Sequence, residues 1–452
     1  MKYAVFLIAI AGIIPFVLLM LGNRPMMRAT VFLISFFALW FDPLSINFFS
    51  NEEYRGTSRG LEMSTVYLCA IAVIITLRIW RGKLKWFPDA GVWFYAGYFV
   101  CALFSLMNAD NLLFSSFEIW KMIMMYFIFV AVWNYLDFSG DFNILWYSIG
   151  TVILLNFPVV VYDSFNWVFQ AHGVFPHQNS MGMYMTLAGI MFLSIFFNST
   201  GNLSWFAGGV FLTSALSVIL TYSRGAILCF PIGCVLTVGV SMLYSSDFRK
   251  TLIVGVAALG VLFLLVLFLP KIFDRFERAP ESSADTRIDF AIAALNMIED
   301  EPWLGVGVNN WGIRINPPYE YSEHRERMRY HDDYKDGIVE TIYLLVAAEC
   351  GVIAFGFLLL WFGYYLVTSI FLLKKTVQRA EFYIPAGMVG GLTAIYLQSA
   401  LEWVLKQPVN FVQLMIMFAV ISFLRMDCIR RKREERKQKL SMAKAVALSG
   451  EV

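Results

Sequence analysis

The sequence predicts an all-α polytopic membrane protein with about twelve to thirteen transmembrane helices and one large extracytoplasmic loop containing short helices. Three observations predict this. The chain is 59% hydrophobic and 15% charged, with a mean hydropathy of +0.65, whereas soluble domains carry about a quarter charged residues. Its apolar runs are long enough to cross a bilayer, which takes about 20 helical residues. Its basic loops alternate in a way that one topology explains. Aromatics at 17% suit broad lipid-facing and interfacial surfaces.

The apolar segments lie near 3–21, 27–46, 62–79, 89–107, 118–136, 144–163, 180–197, 203–220, 224–243, 251–270, 342–373, 383–401 and 409–425. The first reads as an anchor helix rather than a signal peptide, because its apolar stretch is long and no small-residue cleavage site follows. The tail from Arg425 to Lys439 holds eight basic and three acidic residues, which puts the C-terminus in the cytoplasm. Counting back, Lys374 and Lys375, Arg249 and Lys250, Arg78 to Lys85, and Arg24 to Arg28 also fall inside. An odd number of helices leaves the N-terminus outside.

The same count places 271–340 outside. This loop holds nine basic and fifteen acidic residues, a net charge of −6. Within it, 285–298 reads as an amphipathic helix capped by Asp285, and 303–311 as a turn-rich stretch. The chain divides into N-terminal helices over 1–170, a membrane core with its loop over 171–425, and a basic cytoplasmic tail over 426–452. The six cysteines show no metal or disulfide spacing, and there is no CxxC, HExxH, P-loop or GxGxxG motif. No metal, cofactor or nucleic-acid partner is expected.

Ionisable groups at membrane depth are costly, so each invites a functional reading. Arg224, in Thr221-Tyr-Ser-Arg-Gly225, stands at the outer boundary, as a bidentate phosphate clamp or as a snorkelling topological arginine. Arg287 is either a second clamp or a solvated partner of Asp285 and Asp289. In Phe175-Pro-His-Gln-Asn-Ser-Met-Gly182, Asn179 or Ser180 caps the next helix. His177 and Gln178 then sit at its N-terminus, where anions bind; the alternative is a capped loop with a satisfied histidine. Glu340 is expected in the first turn of the following helix, either as a base or as a partner of the helix dipole. Tyr343 follows at i+3 on the same face, while Glu349 faces away and is assigned to interhelical structure. His331-Asp332-Asp333 reads as solvated loop charge rather than a metal site. Trp303, Trp311 and Tyr319 are either sugar-stacking platforms or loop packing.

Taken in order, Phe175 to Gly182, Tyr222-Ser-Arg-Gly225, Arg287 with Glu301-Pro-Trp-Leu-Gly-Val-Gly307, and Ile342 to Gly351 resemble the O-antigen ligase and O-antigen polymerase superfamily of bacterial membrane glycosyltransferases. The resemblance covers roughly 170–420. It implies a polyprenyl-diphosphate-linked glycan donor in the outer leaflet of the bacterial inner (cytoplasmic) membrane. The acceptor is a hydroxyl on lipid A-core, another glycan or a protein, and neither metal nor nucleotide sugar is used. It implies that Arg224 and Arg287 hold the diphosphate; His177 is read beside them as a further diphosphate contact, and membrane lipids and polysaccharide assembly proteins are expected partners. The family usually places His-Asn where Glu340-Thr341 stands here. Three accounts follow: Glu340 is the base, His331 or Asp332 replaces it, or ligase chemistry is lost. The first is preferred because a carboxylate keeps a proton acceptor at that position. The missing histidine leans the reading toward a capsule, exopolysaccharide or O-antigen polymerase. A lipid-linked glycan flippase and a non-catalytic scaffold are the alternatives. No internal repeat of the transporter kind is visible.

Overall fold

A computed structural model describes residues 2–39, 45–166, 170–252, 255, 281–322 and 337–449. The chain folds as an all-α multi-pass membrane protein. Its helices are α1 (Lys2–Gly22), α2 (Arg24–Ala38), α3 (Thr65–Arg81), α4 (Ala90–Phe104), α5 (Leu112–Ser139), α6 (Asn143–Phe165), α7 (Gln178–Asn198), α8 (Asn202–Thr221) and α9 (Arg224–Tyr244). Within the loop lie α10 (Glu281–Asp300) and the single turn α11 (Trp311–Arg314), and after it come α12 (Ile342–Thr376), α13 (Tyr383–Gln398) and α14 (Pro408–Ser449). Among the described residues, nine helices are long and apolar enough to cross a membrane. The spans expected at 27–46, 62–79 and 383–401 appear as the shorter helices α2, α3 and α13. Residues 248–252 are helical, and most of the segment expected at 251–270 lies outside the described residues.

Short polar residues start these helices by accepting an otherwise unmade backbone bond. The Asn23 side chain accepts from Met26 N, Ser64 from Val66 N, Asp89 from Val92 N, and Asn111 from Leu113 and Phe114 N. Three boundaries differ from expectation. Residues 45–48 and 61–64 form an antiparallel hairpin, with Ser45 opposite Ser64 and Phe48 opposite Leu61. Cross-strand pairing therefore claims residues whose apolar runs read as helix ends. Asp285 lies inside α10 and is not its cap, because Glu281-Ser-Ser-Ala carries the helix one turn further back. α14 runs unbroken from the membrane segment into the basic tail.

α7 and the first half of α14 are buried almost all round, whereas α1 is largely exposed. α7 packs on α8, α9 and α13; α14 packs on α5, and α12 on α4. The charges separate along the bundle. At one end Arg28 pairs with Asp141 at 2.8 Å, Arg81 with Asp137 at 2.6 Å, and Arg379 with Asp427 at 2.7 Å. Arg430 also reaches Asp137. The start of α9, the described parts of the loop (281–322 and 337–340) and the hairpin gather at the opposite end, called the site end below.

α12 is broken at Gly351, where φ +83° and ψ 168° leave the helical region. The strand of loop after Pro302 docks into the break. Val352 N donates to Pro302 O at 2.8 Å, Val306 N to Ala348 O at 2.9 Å, and Gly307 N to Glu349 O at 3.0 Å. A side chain at Gly351 would strike the Trp303 carbonyl, and one at Gly305 the backbone at Glu349. Both positions have positive φ, which glycine adopts without strain. The backbone groups released by the break are thus paired, as burial demands.

Beneath this junction four charged side chains are buried together. Glu118 Oε2 lies 2.6 Å from Lys121 Nζ, and Glu118 Oε1 lies 3.2 Å from Lys406 Nζ. Lys406 is also 3.6 Å from Glu349 Oε2. Thr57 and Ser58 each donate a hydroxyl to Glu118 at 2.7 Å, and Lys121 donates to Thr57 O at 3.1 Å. Trp311 N donates to Glu349 Oε1 at 3.3 Å. Glu349 is interhelical structure, as expected. Two acids face two bases, so no net charge is stranded.

Removing one member of such a set leaves uncompensated charge in a dry interior, which costs about 3–5 kcal/mol. Lys406→Ala is therefore expected to lower thermal stability in detergent by that order. Lys432→Ala, on the exposed tail, should leave the melting temperature within about one degree of wild type, as surface substitutions do. Equal melting temperatures for both variants would contradict a structural role for the network.

Candidate active site at the loop end of the bundle

α8 and α9 meet in a tight turn. Tyr222 takes a left-handed conformation (φ 48°), Thr221 Oγ1 accepts from Ser223 N at 3.0 Å, and Ser223 Oγ caps α9 by accepting from Ala226 N at 3.4 Å. Arg224 is the first residue of α9. It therefore adds a full charge to the partial positive charge of a helix N-terminus.

Arg287 arrives on α10. The apolar face of that helix (Phe290, Ala293, Ala294 and Met297) packs against Trp311, Val339, Leu345 and Ala348. This packing holds Arg287 toward the head of α12, where its Nη2 lies 3.1 Å from Glu340 Oε2. Both side chains are about one-third exposed (34% and 37%), so the pair is open to solvent and to a ligand. Glu340 was expected in the first turn of α12 but does not lie there. It precedes Thr341, the cap, because Thr341 is extended (φ −127°, ψ 128°) and Ile342 N is tied to Ser399 O at 3.2 Å. Burial pushes the Glu340 carboxyl above the usual carboxylate range, and Arg287 and Arg224 pull against that rise.

Glu402 was not singled out by sequence, yet it faces this group. It lies in the connector after α13 and is 2% exposed. Ser223 Oγ donates to its Oε1 at 2.9 Å, and Gln398 Nε2 to its Oε2 at 2.9 Å. Burial pushes its carboxyl up to about 7, against the hydrogen bonds from Gln398 and Ser223. Glu340 adds to the rise and Arg287 opposes it. A sequence signal existed: Leu401-Glu402-Trp403 is an ionisable residue at the end of an apolar segment, the same feature that marks Glu340.

The remaining expected residues have other partners. His177, not Asn179 or Ser180, caps α7: its Nδ1 accepts from Asn179 N at 3.2 Å. The cap moved because Asn179 and Ser180 are already inside the helix. Partial desolvation and neighbouring His172 lower the pKa of His177. Gln178 donates to Gln170 at 3.0 Å, and Tyr343 OH donates to Tyr396 O at 2.8 Å, tying α12 to α13. His331 and Asp332 lie outside the described residues. Trp311 is fully buried and donates its indole N–H to Gly337 O at 3.0 Å, so its ring is loop packing. Tyr319 stacks near Tyr321 and lies under the Arg314 guanidinium at 4.5 Å, while Trp303 is 65% exposed.

A guanidinium–carboxylate pair beside a second arginine and a second carboxylate can hold an anionic leaving group and accept a proton. A comparison with protein families bears on which leaving group. Residues 209–360 match the O-antigen ligase family. The matched stretch contains Arg224, Arg287 and Glu340, together with the loop that docks into the break of α12. The resemblance to the O-antigen ligase and polymerase superfamily therefore holds over this part of the chain. A polysaccharide ligase or polymerase activity, with a lipid-linked glycan donor and a glycan acceptor, accords with that family. The chain matches no curated protein.

The Glu402 carboxyl, which lies beyond the matched stretch, favours its protonated form in the fold relative to its ordinary 4.5. Its contribution to stability is then fully present below about pH 4.5 and is lost as pH rises to about 7. Glu402→Gln stays neutral throughout. The variant's melting temperature should gain on wild type between pH 5 and pH 8; parallel melting curves over that window would rule out a raised carboxyl at 402.

Proposed function

We propose that the protein is a membrane glycosyltransferase that moves a glycan from a polyprenyl diphosphate to an acceptor hydroxyl on the extracytoplasmic face. The observation that carries this reading is the open Arg287–Glu340 pair, 3.1 Å apart, with Arg224 acting on the same carboxyl. In this reading the site end faces outward and the arginine-rich end faces the cytoplasm, with the protein in the bacterial inner membrane.

The donor's diphosphate takes up the Arg224 and Arg287 guanidiniums. Bidentate contact with phosphate oxygens suits arginine, and the N-terminus of α9 favours the same charge. As Arg287 turns to phosphate, it ceases to hold down the proton affinity of Glu340. Glu340 becomes a stronger base at the moment the donor is bound. The acceptor oxygen attacks the anomeric carbon from the face opposite the leaving group. Its proton passes to Glu340 as the new C–O bond forms. The bond from the anomeric carbon to the diphosphate oxygen breaks with its electron pair, releasing polyprenyl diphosphate. The configuration at that carbon inverts. The arginines neutralise charge where it develops, a contribution of about 3–4 kcal/mol per donor in comparable sites.

A polymerase adding repeat units is preferred to a ligase acting on lipid A-core, because Glu340-Thr341 stands where the ligases carry His-Asn. The flippase reading meets one relevant feature, the broken α12. Loop 302–307 closes that break, so its backbone is not left open to line a path for substrate.

Reconstitution with a polyprenyl-diphosphate oligosaccharide and candidate acceptors tests this. Free polyprenyl diphosphate and a longer glycan are expected. Arg224→Ala and Glu340→Gln should each lower turnover by about 100-fold or more. Glu340→His should keep measurable turnover, since imidazole is also a proton acceptor. Wild-type turnover in both Arg224→Ala and Glu340→Gln would refute the mechanism, and lipid transport without bond formation would favour the flippase.

A further inference from the structure

We propose that Glu402 is a positioning residue for donor binding: it clasps the turn that carries Arg224, and its proton sets how much arginine charge is left for the lipid diphosphate. This rests on the functional reading above and extends it to a residue outside the motifs.

The geometry of the clasp is specific. Ser223 Oγ both caps α9 and donates to Glu402 Oε1 at 2.9 Å, so one hydroxyl joins the carboxyl to the helix end that bears Arg224. Gln398, the last residue of α13, holds the second oxygen at 2.9 Å. Gly225 makes room: a methyl group there would lie 2.7 Å from Glu402 Oε1. The connector is tied in turn to the head of α12 through Ile342 N and Ser399 O. Glu402 thus joins the ends of α9, α12 and α13 from beneath the site, at a depth that solvent does not reach.

Charged groups act on it from two directions. Glu340 comes from the segment before α12 and Arg287 from α10, while along α9 Glu402 itself raises the Cys229 thiol. A carboxylate in the field of Arg287 competes with a phosphate for that cation, whereas a neutral carboxyl does not. Its carboxyl is pushed up to about 7, so the exchange falls within the working pH range. Below that pH the charge of Arg287 is left for the donor. Above it, a second negative charge opposes the diphosphate. Because Glu402 touches Ser223 and Gln398 rather than the reacting atoms, it acts through Arg224 and the field of the site.

The test is binding of glycan-free polyprenyl diphosphate to the full-length protein in liposomes, between pH 6 and pH 8. Wild-type affinity, divided by that of Glu402→Gln at each pH to cancel titration of the probe's own phosphates, should fall about tenfold across the range. Glu402→Ala should bind more weakly at every pH. It should raise donor KM while leaving kcat within about twofold, since uniform binding and not the chemical step is lost. Glu402→Gln should restore the KM. A wild-type to Glu402→Gln ratio that does not change with pH overturns the inference, provided that Arg224→Ala has lost binding. If Arg224→Ala binds the probe as well as wild type, the diphosphate reading itself fails. Should Glu402→Ala not fold, the Glu402→Gln ratio still decides.

Discussion

The Lys406 ammonium joins parts of the chain that are far apart in sequence. It meets Glu118 of α5 and Glu349 of α12, and through Glu118 it reaches Lys121 and the hydroxyls of Thr57 and Ser58. Burying these charges singly would be prohibitive, and together they are tolerable only if each finds its partners. That requirement admits few arrangements of the helices. The hairpin connector, α5, the loop around Asn309 and the two halves of α12 must all be in place at once. Asn309 completes the set by donating to Ser58 O at 2.9 Å and Phe114 O at 2.7 Å.

The same constraint aims the site. Glu349 accepts from Trp311 N, Trp311 packs on Phe290, and Phe290 lies on the helix that carries Arg287. The loop's insertion at Gly351 fixes the path from Trp303 to Trp311. An arginine distant in sequence from Glu340 is thereby delivered to 3.1 Å from it. The two tiers of carboxylates differ in access. Glu118 and Glu349 have no exposed surface and are balanced by lysines, so they hold structure. Glu340 is partly exposed and shares its cation with any entering anion, so it can exchange a proton. Glu402 lies between these cases: it is buried, bonded by neutral groups, and balanced at a distance.

Much of the architecture was legible in the sequence because bilayer physics is one-dimensional. Apolar length marked most of the spans, and the Lys and Arg loops grouped Arg28, Arg81 and Arg430 at one end, where they find Asp141 and Asp137. The hairpin was not legible, because four-residue strands inside apolar runs carry no period that separates them from helix ends. Nor were the caps: His177 took the place expected of Asn179 or Ser180, since any acceptor at the right φ and ψ satisfies the free N–H. Glu118, Lys121, Lys406 and Glu402 were visible as charges but not as partners. Glu118 and Lys121 are three residues apart and Gln398 lies four before Glu402, but Thr57, Glu349 and Ser223, which complete their surroundings, come from distant segments.

The sequence by itself therefore determined that the chain is a helical multi-pass membrane protein with one acidic loop. It also marked Arg224 and Glu340, at the membrane boundary, and Arg287, in the loop, as charges that water or a partner must satisfy. The tertiary structure decided which of them meet. It placed Arg287 on Glu340, sent Tyr343 to Tyr396, buried Trp311, and brought Glu402 beneath the turn that carries Arg224. Those outcomes depend on how the loop docks into a broken helix and on which buried charges can be balanced together. Both are properties of packing among distant segments, and no local pattern encodes them.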